Sequence, residues 1–161
     1  MEPKIVSKSG FNIIGMELKT SIKEGRNFKE IPQFWEKVLQ QDILSKIPNK
    51  SQEATSLGMC MDFKEEDGSF SYVIACEVDS TNNIPEGMIA RTIPGAKYAV
   101  FTCKGPLPDS IQNMVGYIHG EWFKKSEYTH AGTPEFELYD ERCMGGTDCE
   151  VDIYIPVVKV N

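Results

Sequence analysis

Apolar positions along this chain follow two different periods. Over residues 27–47, Phe28, Ile31, Trp35, Val38 and Leu39 recur at steps of three and four, the spacing that lays one stripe along a helix. Pro32 fits a first turn, where its missing N–H costs nothing, and Pro48 stops the run. A second helical passage begins after Pro108, with Asp109 or Ser110 as its cap and Ile111, Met114, Val115, Ile118 and Trp122 as its stripe. Gly116 and Gly120 weaken that passage, each by roughly 1 kcal/mol relative to alanine.

Elsewhere the period is two, or the run is short, apolar and bounded by turn residues. This predicts strands over residues 11–19, 56–63, 70–78, 88–93, 96–104, 134–139 and 150–157. The acidic turn at 64–68 joins two of them as a hairpin, Pro94-Gly95 breaks another pair, and 129–133 and Gly145-Gly146 read as loops. The order strand, helix, strand, strand occurs twice, over roughly residues 1–80 and 84–161. The expected fold is therefore α+β. It consists of duplicated β-α-β-β repeats with pseudo-twofold symmetry, antiparallel sheets, two main helices on one face and a ligand cleft on the other.

Composition narrows the function classes. A chain of 161 residues suits a single domain, and a net charge of −7 repels phosphate backbones. The densest basic stretch is only Lys124-Lys125, so direct nucleic-acid binding is disfavoured. There is no apolar run long enough to span a membrane and no basic-then-apolar leader, so a cytoplasmic location is expected. The five cysteines include no CxxC pair, and His119 and His130 lack ligand spacing, so no metal is expected. The cysteines read as reduced, mostly buried thiols, and a Cys143–Cys149 disulfide would require an oxidising compartment. No cofactor motif is present: Gly145-Gly146 is followed by neither lysine nor a helix signal, and no GxSxG elbow occurs.

The candidate chemistry lies on Pro134-Glu135-Phe136-Glu137-Leu138-Tyr139. Alternation places Phe136 and Leu138 on one face, the expected helix-covered core, and Glu137 with Tyr139 on the other. A carboxylate beside a tyrosine ring can grip an organic cation by charge and by its π-face, although a glutamate facing water gives the same pattern. Tyr154 could approach Glu137 if the last strand pairs with this one. Phe34, Tyr117 and Tyr72 could wall a pocket, whereas Trp35 and Trp122 sit on the apolar stripes and read first as core.

Several ordered pieces resemble the GyrI-like, or AraC-type effector-binding, family. They are Ile84-Pro85-Glu86-Gly87-Met88, Ile93-Pro94-Gly95-Ala96-Lys97-Tyr98-Ala99-Val100-Phe101, Glu121-Trp122-Phe123, Phe136-Glu137-Leu138-Tyr139 and Glu150 to Val157, with Gly58-Met59 and Phe70-Ser71-Tyr72-Val73 upstream. The resemblance implies two β-α-β-β repeats around a cleft that takes bulky, often cationic aromatic compounds. It places the central glutamate of the F-E-x-Y motif on Glu137 and the motif tyrosine on Tyr139. Tyr154, Tyr117, Trp122, Trp35, Phe34 and Tyr72 are carried over as wall residues. Regulators of the family carry a helix-turn-helix region for which this sequence has no room, so a free-standing small-molecule-binding role is expected.

Two other roles share the same residues. One is hydrolysis of strained electrophiles, with Glu137 as general base and Tyr139 orienting the substrate. The other is a protein-interaction role such as gyrase inhibition, through the acidic segments at 64–68 and Asp140-Glu141. Monomer and dimer are equally compatible with the sequence.

Overall fold

The computed structural model describes residues 2–143 and 148–160. The proposed Gly145-Gly146 loop lies outside them. The elements are β1 (Lys4–Lys8), β2 (Phe11–Ser21), α1 (Arg26–Gln40), β3 (Ser56–Met61), β4 (Ser69–Val78), β5 (Ile89–Ile93), β6 (Ala96–Lys104), α2 (Asp109–Tyr117), β7 (Tyr128–His130), β8 (Glu135–Tyr139) and β9 (Glu150–Lys159). After α2 the chain passes through a π turn, Ile118–Trp122, and a last helical turn, Phe123–Lys125.

All strands join one nine-stranded antiparallel sheet in the order β1-β6-β9-β8-β3-β4-β2-β5, with β7 also paired to β9. This order is a palindrome of the two repeats. β2, α1, β3 and β4 correspond to β6, α2, β8 and β9, and each repeat lends its leading strand to the other: β1 pairs β6, and β5 pairs β2. The pseudo-twofold therefore falls between β3 and β8, where Gly58 stands opposite Glu137. The chain crosses between the two ends of the strand order twice, through only Ser9-Gly10 and Pro94-Gly95. The sheet must curl until Gly10 and Gly95 lie against each other.

That curl decides what covers each face. On the concave side the sheet closes on itself: Phe11, Ile13, Leu57, Met59, Val73, Tyr98 and Phe136 form one core without a helix. On the other side α1 lays Val38 and its neighbours over Phe70, Tyr72 and Ile74, and the α2 segment lays Ile111, Ile118 and Trp122 over Phe101, Val151, Ile153 and Ile155. The expected arrangement is corrected here. Phe136 and Leu138 face the helix-free core, while Glu137 and Tyr139 face the helices. The cleft opens between the helices, on their side of the sheet. Self-closure of a curved sheet supplies the cover that a flat sheet would need from helices.

Other differences are local. The first helix ends at Gln40 rather than Ile47, because Asp42 takes a left-handed conformation (φ 51°) and a 3-10 turn, Ile43–Lys46, follows. Pro32 sits in the second turn, not the first. β1 and β7 are strands that the apolar pattern does not show, since Lys4–Lys8 and Tyr128–His130 alternate with mostly polar or exposed positions. Cys143 and Cys149, in the connection from β8 to β9, are joined in a disulfide, whereas Cys60, Cys76 and Cys103 are free thiols. No helix among the described residues is long and apolar enough to cross a membrane.

Candidate functional site

The cleft has a volume of about 510 Å³, within the usual range for small-ligand sites. Its walls are Phe28, Ile31, Pro32, Trp35 and Leu39 from α1, and Leu107, Ile111 and Val115 from α2 and the turn before it. Its floor is the centre of the sheet, with Tyr72, Cys60, Glu135, Glu137 and Tyr139. The mouth is apolar: Phe28, Leu39 and Leu107 are 57%, 62% and 40% exposed. Exposed apolar side chains gathered around an opening mark a binding surface more often than scattered ones do.

Glu137 sits at the centre of this floor. The Tyr72 and Tyr139 hydroxyls both donate to its Oε1, at 2.8 and 2.7 Å, and Trp35 Nε1–H donates to the Tyr72 oxygen at 2.8 Å. The Trp35 indole also packs edge-on against the Tyr139 ring at 4.8 Å. No Lys, Arg or His among the described residues forms an ion pair with Glu137, and its Oε2 accepts no side-chain hydrogen bond from them. Burial pushes its pKa up to about 7, against the two tyrosine hydrogen bonds that lower it, with the nearby Glu135 charge adding to the rise. Burial and the Glu137 charge hold both tyrosines well above their ordinary values, so they remain protonated donors. Removing one donor, as in Tyr72→Phe, should move the Glu137 titration above 7, visible as an upward shift in the pH midpoint of ligand binding.

Backbone spacing makes this convergence possible. Gly58 on β3 stands opposite Glu137 on β8 and Ile74 on β4, and the Tyr72 hydroxyl reaches over it from two residues before Ile74. A β-carbon there would overlap the Tyr72 hydroxyl and come within 2.8 Å of Glu137 Oε1.

Glu135, two residues earlier on the same face, has different partners. Its Oε1 lies 3.2 Å from His130 Nε2 and 3.5 Å from His119 Nε2. His130 Nδ1 accepts the Gly132 N–H at 2.9 Å, so Nε2 carries the proton of the neutral ring and donates to Glu135. Among the described residues, no group of three or more His, Cys, Asp or Glu side chains is placed to hold a metal ion. Although burial opposes it, the two histidines hold the Glu135 pKa down to about 2. Bonding to Glu135 raises that of His119.

Of the aromatic residues expected at the site, Tyr72, Tyr139 and Trp35 line the cleft with Glu137, and the others do not. Tyr154 pairs with Phe136 rather than Glu137 in the β8–β9 register, so it faces the opposite side and stacks on Phe136 at 4.6 Å. There it borders a separate cavity of about 320 Å³ with Lys8, Phe11 and Glu77. Trp122 is buried against Phe101 and Tyr128. Tyr117 packs beside that core with the Lys125 ammonium over its ring, and Phe34 packs against the Val38 cluster. Asp140, in one of the acidic segments, is held by Arg142, which also reaches Asp152 at 2.8 Å.

The sequence singles out neither Glu135 nor Cys60 as a site residue, and it weighs His119 and His130 only as metal ligands. The alternation that placed Glu137 also places Glu135 on its face, so that signal was present. His119 enters from a π turn, a helical irregularity often found at functional sites that no periodicity anticipates.

The comparisons with known proteins agree with this architecture. The transcriptional regulator BrlR of Pseudomonas aeruginosa is 33% identical over 98% of this chain, which spans 56% of that protein's length. The putative transcriptional regulator YobU of Bacillus subtilis is 20% identical over 81% of each chain. The structure of SAV2435 bound to tetraphenylphosphonium superposes with a TM-score of 0.84 at 22% identity, covering 98% of this chain and 94% of that one. The integron cassette protein VCH_CASS2 of Vibrio cholerae superposes with a TM-score of 0.71 at 18% identity, over 98% and 96%. The Cass2 family model, integron-associated effector binding protein, matches residues 4–157, and the chain belongs to that family.

Proposed function

We propose that this protein binds bulky, hydrophobic aromatic cations in the cleft between α1 and α2, with Glu137 as the counter-charge. The observation that carries this reading is a carboxylate enclosed at the floor of an apolar cleft, anchored through one oxygen by two tyrosines and lacking a cationic partner among the described residues. An unpaired buried carboxylate is costly, and a cation with apolar rings offsets that cost while covering the exposed Phe28, Leu39 and Leu107. Trp35 and Tyr139 add ring faces and edges to the contact. The ligand bound in the SAV2435 structure, tetraphenylphosphonium, is a bulky, hydrophobic aromatic cation.

Calorimetric titration with tetraphenylphosphonium and with neutral triphenylphosphine oxide tests the proposal. The cation should bind and the neutral analogue should bind much more weakly; equal affinities would overturn it. The affinity should also depend on pH. Glu137 must be ionised to attract the ligand, and its pKa stands at about 7. Affinity should therefore fall roughly tenfold between pH 8 and pH 6.

The same carboxylate, poised near neutrality beside the Tyr139 hydroxyl, has the features of a general base. Product formation from a strained alkylating substrate, lost in Glu137→Gln, would favour hydrolysis over simple binding.

A further inference from the structure

The cleft floor holds a second carboxylate arranged like the first. On Glu137, two tyrosine hydroxyls fall on Oε1; on Glu135, two imidazole nitrogens fall on Oε1. Neither Oε2 accepts a side-chain hydrogen bond from the described residues. Both side chains line the same cavity. They belong to alternate positions of β8, so their backbones are separated by about 7 Å along the strand. The polar residues that α1 and α2 turn into the cleft, Asn27 and Gln112, carry no charge. Cys60, which faces the two carboxylates from β3, is a neutral thiol whose pKa burial drives up, with both glutamates contributing.

We propose that Glu135 is a second cation-binding carboxylate, and that the cleft prefers dications with charged centres on the order of 7 Å apart. This rests on the reading of Glu137 as the counter-charge for the first centre. One cation lies against Glu137 Oε2, deep between Trp35 and Tyr139. The other lies against Glu135 Oε2, on the side of His119, which is the more exposed partner. The histidines keep Glu135 ionised inside the protein when no ligand is bound, so the second charge is present before the dication arrives. A monocation leaves that charge to the histidines alone.

Ethidium and propidium test this. They share a phenanthridinium ring, and propidium adds a quaternary ammonium on a propyl chain. Binding is followed by dye fluorescence at pH 8.5, in wild type, Glu135→Gln and Glu137→Gln, with a thermal melt confirming that each variant folds. Wild type should bind propidium about tenfold more tightly than ethidium. Glu135→Gln should remove that preference by weakening propidium far more than ethidium, and Glu137→Gln should weaken both dyes.

Equal affinities in wild type, or a preference that survives Glu135→Gln, would overturn the proposal. If Glu135→Gln does not fold, the wild-type ratio decides alone. Undiminished ethidium binding in Glu137→Gln would instead defeat the reading of Glu137, and the effect of Glu135→Gln on the ratio would still report on Glu135.

Discussion

Replacing Glu137 with glutamine should weaken tetraphenylphosphonium binding by roughly a hundredfold, because removing one partner of a buried charge pair costs about 2–5 kcal/mol. Glutamine preserves the shape and keeps an oxygen to accept the Tyr72 and Tyr139 hydroxyls, so the cleft should persist. Affinity for triphenylphosphine oxide should change little. A comparable loss for both compounds would show that the variant had damaged the cleft rather than its charge.

The same substitution should make the protein more stable at alkaline pH. Glu137 has a folded pKa of about 7 against an ordinary 4.5, so the folded state holds more protons between those values. Stability then falls as pH rises through that window and stays low above it. The total is on the order of 3 kcal/mol, as an upper figure, since the cleft admits some water. Glu137→Gln removes the titration. Its melting temperature should exceed that of wild type by several degrees at pH 8 and match it near pH 4.5. An enzyme-like or binding site that costs stability is the expected compromise. Equal melting temperatures at both pH values would mean that Glu137 is solvated in the free protein.

Gly58→Ala should damage the floor of the cleft itself. The added carbon would occupy the space of the Tyr72 hydroxyl and crowd Glu137 Oε1. Neither neighbour can yield easily: Tyr72 is 1% exposed and tied to Trp35, and Glu137 is fixed by Tyr139. The strands would have to part, or the tyrosine abandon the carboxylate. Overpacking of a tight core costs typically 1–3 kcal/mol, and the lost hydrogen bond to a charged group adds to it. A drop in melting temperature of several degrees is expected, together with loss of cation binding. A stable variant with normal affinity would show that Tyr72 is dispensable to the anchoring of Glu137.

The Cass2 family supplies effector-binding domains, and BrlR shows such a domain within a longer regulator. α1 and α2 contribute opposite walls of the cleft, and each packs on its own half of the sheet.

What the sequence determined by itself was local and periodic. The stripes of α1 and α2, the alternation along 134–139 and 150–157, and the duplicated order of elements follow from the repeat periods of helix and strand, which any single segment reveals. Alternation alone put Glu137 and Tyr139 on one face of β8, and the family resemblance singled out Glu137. The tertiary structure decided everything that depends on which strand lies beside which. Register across β3 and β8 set Gly58 opposite Glu137 and brought Tyr72 within reach, while register across β8 and β9 sent Tyr154 to the other side. Curling of the sheet let one face close on itself and left the helices to flank the cleft, an outcome of two-residue connections between opposite ends of the strand order. His119, His130 and Glu135 share no motif in sequence and meet only because the π turn, β7 and β8 converge. Periodicity is a property of neighbours along the chain; a binding site is a property of neighbours in space, and pairing register, which no single segment encodes, connects the two.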